Sequence, residues 1–429
     1  MKNYKLLSLT LLGFLFIMSC AKDPDALSIV SILGEGTSLQ DGSTVNSDLN
    51  GVTSAEDVPV NTEITITFDR AVDASTVNDT NVKLTNGAGE VVITATASSA
   101  TIKIKPADVL ERGTQHTISL QNILAEDGGA LTSTTRTFTT EGRAPIVVPH
   151  AENQIAYWTF DGITDDMTGD YPADNVVAIN FGTDRYGQGN STATFDGDKS
   201  IIEVLDGDRM MAANDITISF WIKTNSIYHL NENGDPSGHF VFGLGAFFGF
   251  QFEIPADYSA CKLALSYVTE AGTPTSEDLW FNGNGEDKDN GGWQGWDYVA
   301  NLTGSGGVQG LLKDKWAHIV CTYDAESKRG MMFINGEIMK SQDFNLWPEA
   351  DAKSTITGIG YQGSEPDVEN ILAIGFIKSI DSQMWETEPW GGYQFPTSNH
   401  FKGDLDDFRV FNAPFSIDDA KALYDAEKN

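Results

Sequence analysis

FKGDLDDFRVF, residues 401–411, reads as a β-strand: Phe408 and Val410 alternate, and Phe401 and Phe411 stand at its ends. Strands of this kind face a core with every second side chain. Asp404, Asp406 and Asp407 crowd into four of its positions. Like charges that close repel and weaken a strand unless something offsets them. Whatever neutralises these carboxylates decides how the strand is built into its sheet.

Five stretches upstream belong with it. IAYWTFDG (155–162) opens a new pattern, and YGQGNSTATFDGDKSIIEV (186–204) is a glycine turn followed by a strand and a second turn. ITISFWIKT (216–224) alternates, with Ile216, Ile218, Phe220 and Ile222 on one face. DKWAHIVCTYDAESKRGMMFINGEI (314–338) predicts a hairpin whose second turn is Asn335-Gly336, a pair suited to positive φ. ILAIG (371–375) leads into the acidic strand. After it, Ser416 is a good N-cap with Asp419 three residues on, and Ala420, Leu423 and Tyr424 form the apolar face of a short helix predicted to close one end of the domain. In this order the stretches resemble laminin-G-like, concanavalin A-like jelly-roll domains, and the resemblance covers residues 155–429.

Residues 27–140 carry shorter alternating strands: EITITF (63–68), TIKIKP (101–106), HTISLQN (116–122) and TRTFTT (135–140), with turns at NGAG (86–89) and EDGG (126–129). This predicts a β-sandwich. ITFDRAVDASTV, the run Pro106–Ile118, ILAEDGGAL and the closing FTT resemble bacterial Ig-like domains, which act mostly as spacers or platforms. Asp69, Asp73 and Asp127 read as solvated turn carboxylates. EGRAPIVVPHAENQ (141–154) is a linker. The fold class expected is therefore all-β: an N-terminal Ig-like β-sandwich, then a C-terminal concanavalin A-like jelly roll with a short C-terminal helix.

Residues 1–20, MKNYKLLSLTLLGFLFIMSC, stand apart. Lys2 and Lys5 precede an apolar run, Leu6–Met18, shorter than the ~20 residues a bilayer span needs but suited to a secretion signal. Its end, IMSC, resembles the lipobox of bacterial lipoproteins, which implies that Cys20 becomes the lipidated first residue. The following AKDPD resembles the surface-export signal of Gram-negative lipoproteins. Residues 21–26 then form a tether. By this resemblance the chain is held on the outer membrane by lipid alone, facing the exterior, and outer-membrane transport proteins are its expected partners. The formal charge of −34 repels phosphates and argues against nucleic acid. Cys261 and Cys321 remain after Cys20. They either pair, as an oxidising compartment permits, or serve as small core residues.

Several residues point to chemistry. Calcium takes six to eight oxygens from carboxylates and carbonyls. The jelly-roll resemblance implies a structural calcium between first and last strands, with Asp161, Asp406 and Asp407 as ligands. Alternatively, Asp407 pairs with Arg409 or a nearby lysine and the other carboxylates face water. DKDNGG (287–292) and NENGDP (231–236) imitate calcium loops, but Tyr298 stands where the first needs Glu and Pro236 where the second needs Gly. Of the nine tryptophans, Trp158, Trp221 and Trp316 lie in predicted strands and read as core. Trp280, Trp293, Trp296, Trp347, Trp385 and Trp390 lie in turn-rich inserts among Gly, Asn, Asp and Glu. An aromatic face beside fixed polar groups suits a sugar ring, so Trp280, Trp293, Trp296, Trp385 and Trp390 are candidate glycan contacts. The alternative is that they pin long loops to the sandwich. EPDVE (365–369) has the carboxylate spacing of one concanavalin-like glycosidase family, with Glu365 and Glu369 as the pair. Pro366 between them argues against a strand there. No metalloprotease, nucleophile-elbow or phosphate-loop motif occurs. These readings favour a carbohydrate-binding surface protein without catalytic residues. A protein-binding adhesion module is the alternative from another class.

Overall fold

The computed structural model describes residues 24–39, 42–51, 53–282, 296–298 and 300–428, with backbone alone at 280, 282 and 296–298. The chain divides into two compact units, Met1–Ala144 and Pro145–Asn429. Among the described residues no helix is long and apolar enough to cross a membrane.

The first unit is a sandwich of two five-stranded sheets. One runs in the order Thr44–Asp48, Ile29–Thr37, Glu63–Phe68, Thr101–Pro106, Ile93–Ser98. The other runs Ala55–Val58, Thr134–Thr140, Gln115–Leu120, Val82–Asn86, Gly89–Val91. The period-two pattern becomes burial: Ile64, Ile66, Ile102, Ile104, Ile118 and Phe138 fill the core between the sheets. The turn carboxylates hold turns. Asp69 and Asp127 lie 3.6 and 3.2 Å from the Arg70 guanidinium. Asp73 accepts from the Ser75 backbone N–H at 3.0 Å, capping a short 3-10 turn.

The second unit is a larger two-sheet sandwich, and its strand pairings are antiparallel. In the first sheet, Lys402–Phe411 lies between Ala193–Asp196 and Ile216–Thr224. Beyond these come Trp316–Asp324, Arg329–Ile334, Glu337–Asp343 and Trp296–Tyr298. The second sheet runs Ala173–Val177, Ile201–Val204, Leu372–Ile374, His239–Leu244, Phe250–Ile254, Ala260–Thr269, Pro274–Asn282. Between them Phe220, Phe242, Phe252, Phe408 and Trp158 interlock with ring centroids 5.0–5.9 Å apart, mostly edge to face. The predicted Asn335-Gly336 turn forms, with φ of 53° and 76°.

One expectation changes here, and one open alternative is resolved. The helix Ile417–Glu427 has the predicted Ser416 N-cap, which with Asp419 forms a capping box, but it does not close an end of the sandwich. Its Ala420 and Leu423 pack with Val320, Phe333, Phe411 and Phe415. Those side chains alternate with the core-facing Ile319, Cys321, Met332 and Val410, so the helix covers the outer face of the first sheet. Cys261 and Cys321 are free, buried thiols. Cys261 Sγ lies 3.5 Å from Met332 Sδ, and both cysteines serve as small core residues.

Candidate functional site

The acidic strand is where the fold departs most from regular geometry. Along Lys402–Phe411, residue 409 pairs with 219 and residue 406 with 221, so three steps on one strand match two on the other. This is a β-bulge, and Asp407 within it has φ of 46°. Regular pleating would send Asp406 and Asp407 to opposite faces. The bulge brings both carboxylates to one guanidinium: Arg185 donates through Nη1 to Asp406 and through Nη2 to Asp407, the latter at 2.7 Å. The same strand's other edge is shared, with Ala193–Asp196 pairing at 402–405 and Gln154–Trp158 at 408–411. The bulge occupies the gap between them.

The pair extends into a buried network. Asp407 Oδ1 accepts from the Tyr157 hydroxyl at 2.6 Å. Arg409 stacks on Tyr157 at 3.6 Å and donates to Glu427 Oε1 at 2.9 and 3.1 Å. Glu427 Oε2 accepts from Trp221 Nε1 at 2.7 Å. Trp221 stacks on His318, and Arg185 lies 4.2 Å over the Trp221 ring. Asp406 and Asp407 are 0% and 1% exposed. The three carboxylates outnumber the two guanidiniums. Burial, and then the Asp407 charge, push the Glu427 carboxyl up. Burial pushes the His318 imidazole down to about 3, so it is neutral.

The calcium assignment to Asp161, Asp406 and Asp407 does not fit this arrangement. Arginine takes the carboxylate oxygens that a cation would need, and among the described residues no three His, Cys, Asp or Glu side chains gather as a metal requires. The alternative is met in part. Asp407 lies 3.6 Å from Arg409, but Asp406 is buried rather than solvated. Asp404 bonds Thr194 Oγ1 at 2.7 Å. Sequence reasoning missed Arg185, more than two hundred residues away, and Glu427, which lies on the helix. The excess of carboxylates in one strand was the available signal.

The tryptophans fall into separate places. Trp158 is core, Trp221 belongs to the network, Trp316 is half-buried, and Trp347 is buried against Phe344. Trp280 and Trp296 stand, by backbone, in the last strands of the two different sheets. Trp293 and the DKDNGG run lie outside the described residues, as does Cys20. Trp385 and Trp390 lie elsewhere, in the segment that follows Leu372–Ile374 and covers the outer face of the second sheet. Two strands, Phe250–Ile254 and Ala260–Thr269, separate His239–Leu244 beneath them from the strand of Trp280.

That segment is anchored through its apolar side chains. Phe376, Ile377, Ile380, Met384, Trp385 and Tyr393 pack with Ile201, Phe240 and Ala373 of the sheet. Tyr393 donates its hydroxyl to the Lys199 carbonyl at 2.6 Å, and its ring sits 5.8 Å from Phe376. Lys378 is buried and donates to the Ser382 carbonyl at 2.8 Å. Glu203, beneath, accepts from the Ile380 N–H at 2.7 Å. Trp385 and Trp390 lie with ring centroids 5.1 Å apart, which requires the chain to turn tightly between them. Gly391 and Gly392, just after Trp390, let the chain pass close to this pair: a Cβ at 391 would meet the Trp385 side chain at 3.1 Å, and one at 392 the Glu386 carbonyl at 2.7 Å. Trp385 is half-buried, Trp390 is 45% exposed, and Phe247, 6.2 Å from Trp385, is partly exposed.

Beside this aromatic ledge opens a pocket of about 340 Å³. Ile380 and Tyr393 give it apolar wall, and Asp381, Ser382, Gln383, Glu386 and Gln394 give it polar groups. Gln394 donates its amide to the Glu386 carbonyl, which fixes one wall to the other. A hydroxyl-rich ring placed here meets carboxylates and amides at its edge and aromatic surface nearby.

The glycosidase pair is not on a strand. Glu365 and Pro366 are exposed in a turn between Ile356–Ile359 and Leu372–Ile374, and Glu369 accepts from Ser379 Oγ at 2.5 Å. The two glutamates therefore do not share a strand face. NENGDP is a surface turn in which Asn231 Oδ1 accepts from the Asn233 and Asp235 N–H groups.

Residues 45–140 match the family model of the bacterial Ig-like domain. No curated protein matches the chain. Among solved structures it is similar to the botulinum neurotoxin serotype G binding domain (16% identity, 63% of this chain and 50% of that chain, TM-score 0.38). It is also similar to the receptor-binding domain of botulinum neurotoxin D (15%, 64% and 52%, TM-score 0.38). A third is the botulinum neurotoxin serotype D ligand-binding domain in complex with N-acetylneuraminic acid (14%, 64% and 51%, TM-score 0.37). The chain spans about half the length of these structures.

Proposed function

We propose that this chain is a lipid-anchored, cell-surface carbohydrate-binding protein. In this reading the bacterial Ig-like unit is a spacer, and the second unit, of laminin-G-like type, captures a poly- or oligosaccharide. The observation that carries the reading is the pocket of Asp381, Gln383, Glu386, Tyr393 and Gln394 beside the Trp385–Trp390 pair, in which Trp390 is exposed. The test is a glycan array followed by calorimetry on the best ligand. Trp390→Ala, with its ring partly in solvent, should weaken binding at least about tenfold, the loss of one good aromatic contact. Unchanged affinity in both Trp390→Ala and Trp385→Ala would remove the site.

The anchor is proposed at Cys20, with the outer membrane as location and transport proteins as neighbours. Labelling with a palmitate analogue should mark the wild type and spare Cys20→Ser; surface proteolysis of intact cells should reach the wild type. A protein partner is the second reading, favoured by Ile227 and Tyr228 near the start of the 225–238 loop, where Tyr228 is 88% exposed. Pull-down from cell-surface extracts, lost in Tyr228→Ala and indifferent to Trp390→Ala, would select it.

A further inference from the structure

The charged side chains that line the pocket have one sign. Asp381 and Glu386 line it, and among the described residues no basic side chain does. Behind it, the buried Lys378 ammonium is faced by Glu386, Glu369, Glu203 and Asp381. On the Tyr393 side the acting charges are Glu203, Asp196 and Asp198, while Lys199 contributes its carbonyl to the Tyr393 hydroxyl. Two carboxylates thus line the pocket, and four more act on the side chains of Lys378 and Tyr393 behind and beside it. The Lys378 ammonium is 1% exposed and already donates to the Ser382 carbonyl, so it is not available to a ligand. The whole chain, at −34, adds to the same field.

We infer that the pocket, on the carbohydrate-binding reading above, takes sugar units carrying a protonated amine in preference to uncharged ones, and excludes acidic sugars. An ammonium placed against Asp381 or Glu386 makes a charge-assisted hydrogen bond where a hydroxyl makes a neutral one. A uronate, sialyl or sulfated unit sets its negative charge against carboxylates with no arginine or free lysine to receive it, and such repulsion is an effective source of specificity. Asp381 and Glu386 are solvent-exposed, so the preference is moderate and responds to salt.

Three oligosaccharide sets of equal length test this by calorimetry at pH 6: β-1,4-linked glucosamine, its N-acetylated form, and an oligouronate. The amine set should bind about fivefold to tenfold more tightly than the N-acetylated set, the range that one or two exposed ion pairs supply. The uronate set should show no binding. Raising the salt concentration from 50 to 500 mM should erase most of the amine's advantage and leave the N-acetylated set unchanged. Glu386→Gln and Asp381→Asn, at exposed positions, should narrow the amine preference without changing the melting temperature. Tighter binding of the uronate set, or an amine advantage indifferent to salt and to both substitutions, overturns the inference while leaving carbohydrate binding intact. Failure of all three sets, together with a blank glycan array, overturns the underlying reading instead.

Discussion

Arg185 is the residue on which the acidic strand depends. It neutralises Asp406 and Asp407, stacks on Trp221 and donates to the Glu427 carbonyl at 3.1 Å. Removing one partner of a buried ion pair leaves an uncompensated charge, which costs about 3–5 kcal/mol. Arg185→Ala should therefore lower unfolding free energy in urea by about that amount. Arg185→Lys should recover only part of the loss, because an ammonium lacks the planar fork that meets both carboxylates. Equal stability of Arg185→Ala and wild type would show that the pair contributes nothing. Asp406 and Asp407 were visible in the sequence as an anomaly. Their partner was not, because nothing local ties residue 185 to residue 406.

Among the elements, the hairpin and the helix are coupled. The Asn335-Gly336 turn was legible because I′ turns demand positive φ at both positions. The sequence did not disclose that the turn also receives the helix: a Cβ on Gly336, where φ is 76°, would meet the Tyr424 ring at 2.8 Å. Gly336→Ala thus combines left-handed strain with a clash. Destabilisation of about 1–3 kcal/mol is expected. Because Tyr424 stacks against Trp221 and His318, the near-ultraviolet circular dichroism should change with it. A neutral Gly336→Ala would mean that the helix yields freely. The helix itself was predicted correctly from its cap and apolar face, but its resting place was not. An amphipathic helix states that it needs a cover; it does not state which surface supplies one.

For the molecule as a whole, buried histidines set the response to acid. Burial depresses His229 and His400 to about 4 and His318 to about 3, against an ordinary value of 6.5. Each is held neutral in the fold, so the stability it contributes is complete above pH 6.5 and is lost as pH falls toward 4. Glu427, whose carboxyl is raised, works in the opposite direction: its contribution is lost as pH rises. Burial lowers His239 and His116 as well, and raises Asp404 as it does Glu427; with five imidazoles against two carboxyls, the melting temperature should fall steadily from pH 6.5 to 4. His229→Leu should make that slope shallower. Identical slopes for variant and wild type would exclude His229 from the effect.

The sequence by itself determined the all-β class, the two sandwiches, the strands, the hairpin turn and the capped helix. These follow from period-two burial, turn chemistry and capping, all of which act between residues close in the chain. It also placed aromatic and polar groups together in residues 382–395, and left open whether they face a ligand or pin the loop. Tertiary structure alone decided that the acidic cluster is neutralised by arginine, that Trp221 seals an ion network, and that Trp385 and Trp390 stand apart from the strands of Trp280 and Trp296. Each of these outcomes depends on side chains brought together from distant parts of the chain. A carboxylate's local sequence is the same whether its counter-charge is a metal, a guanidinium or water; only the packed fold selects among them.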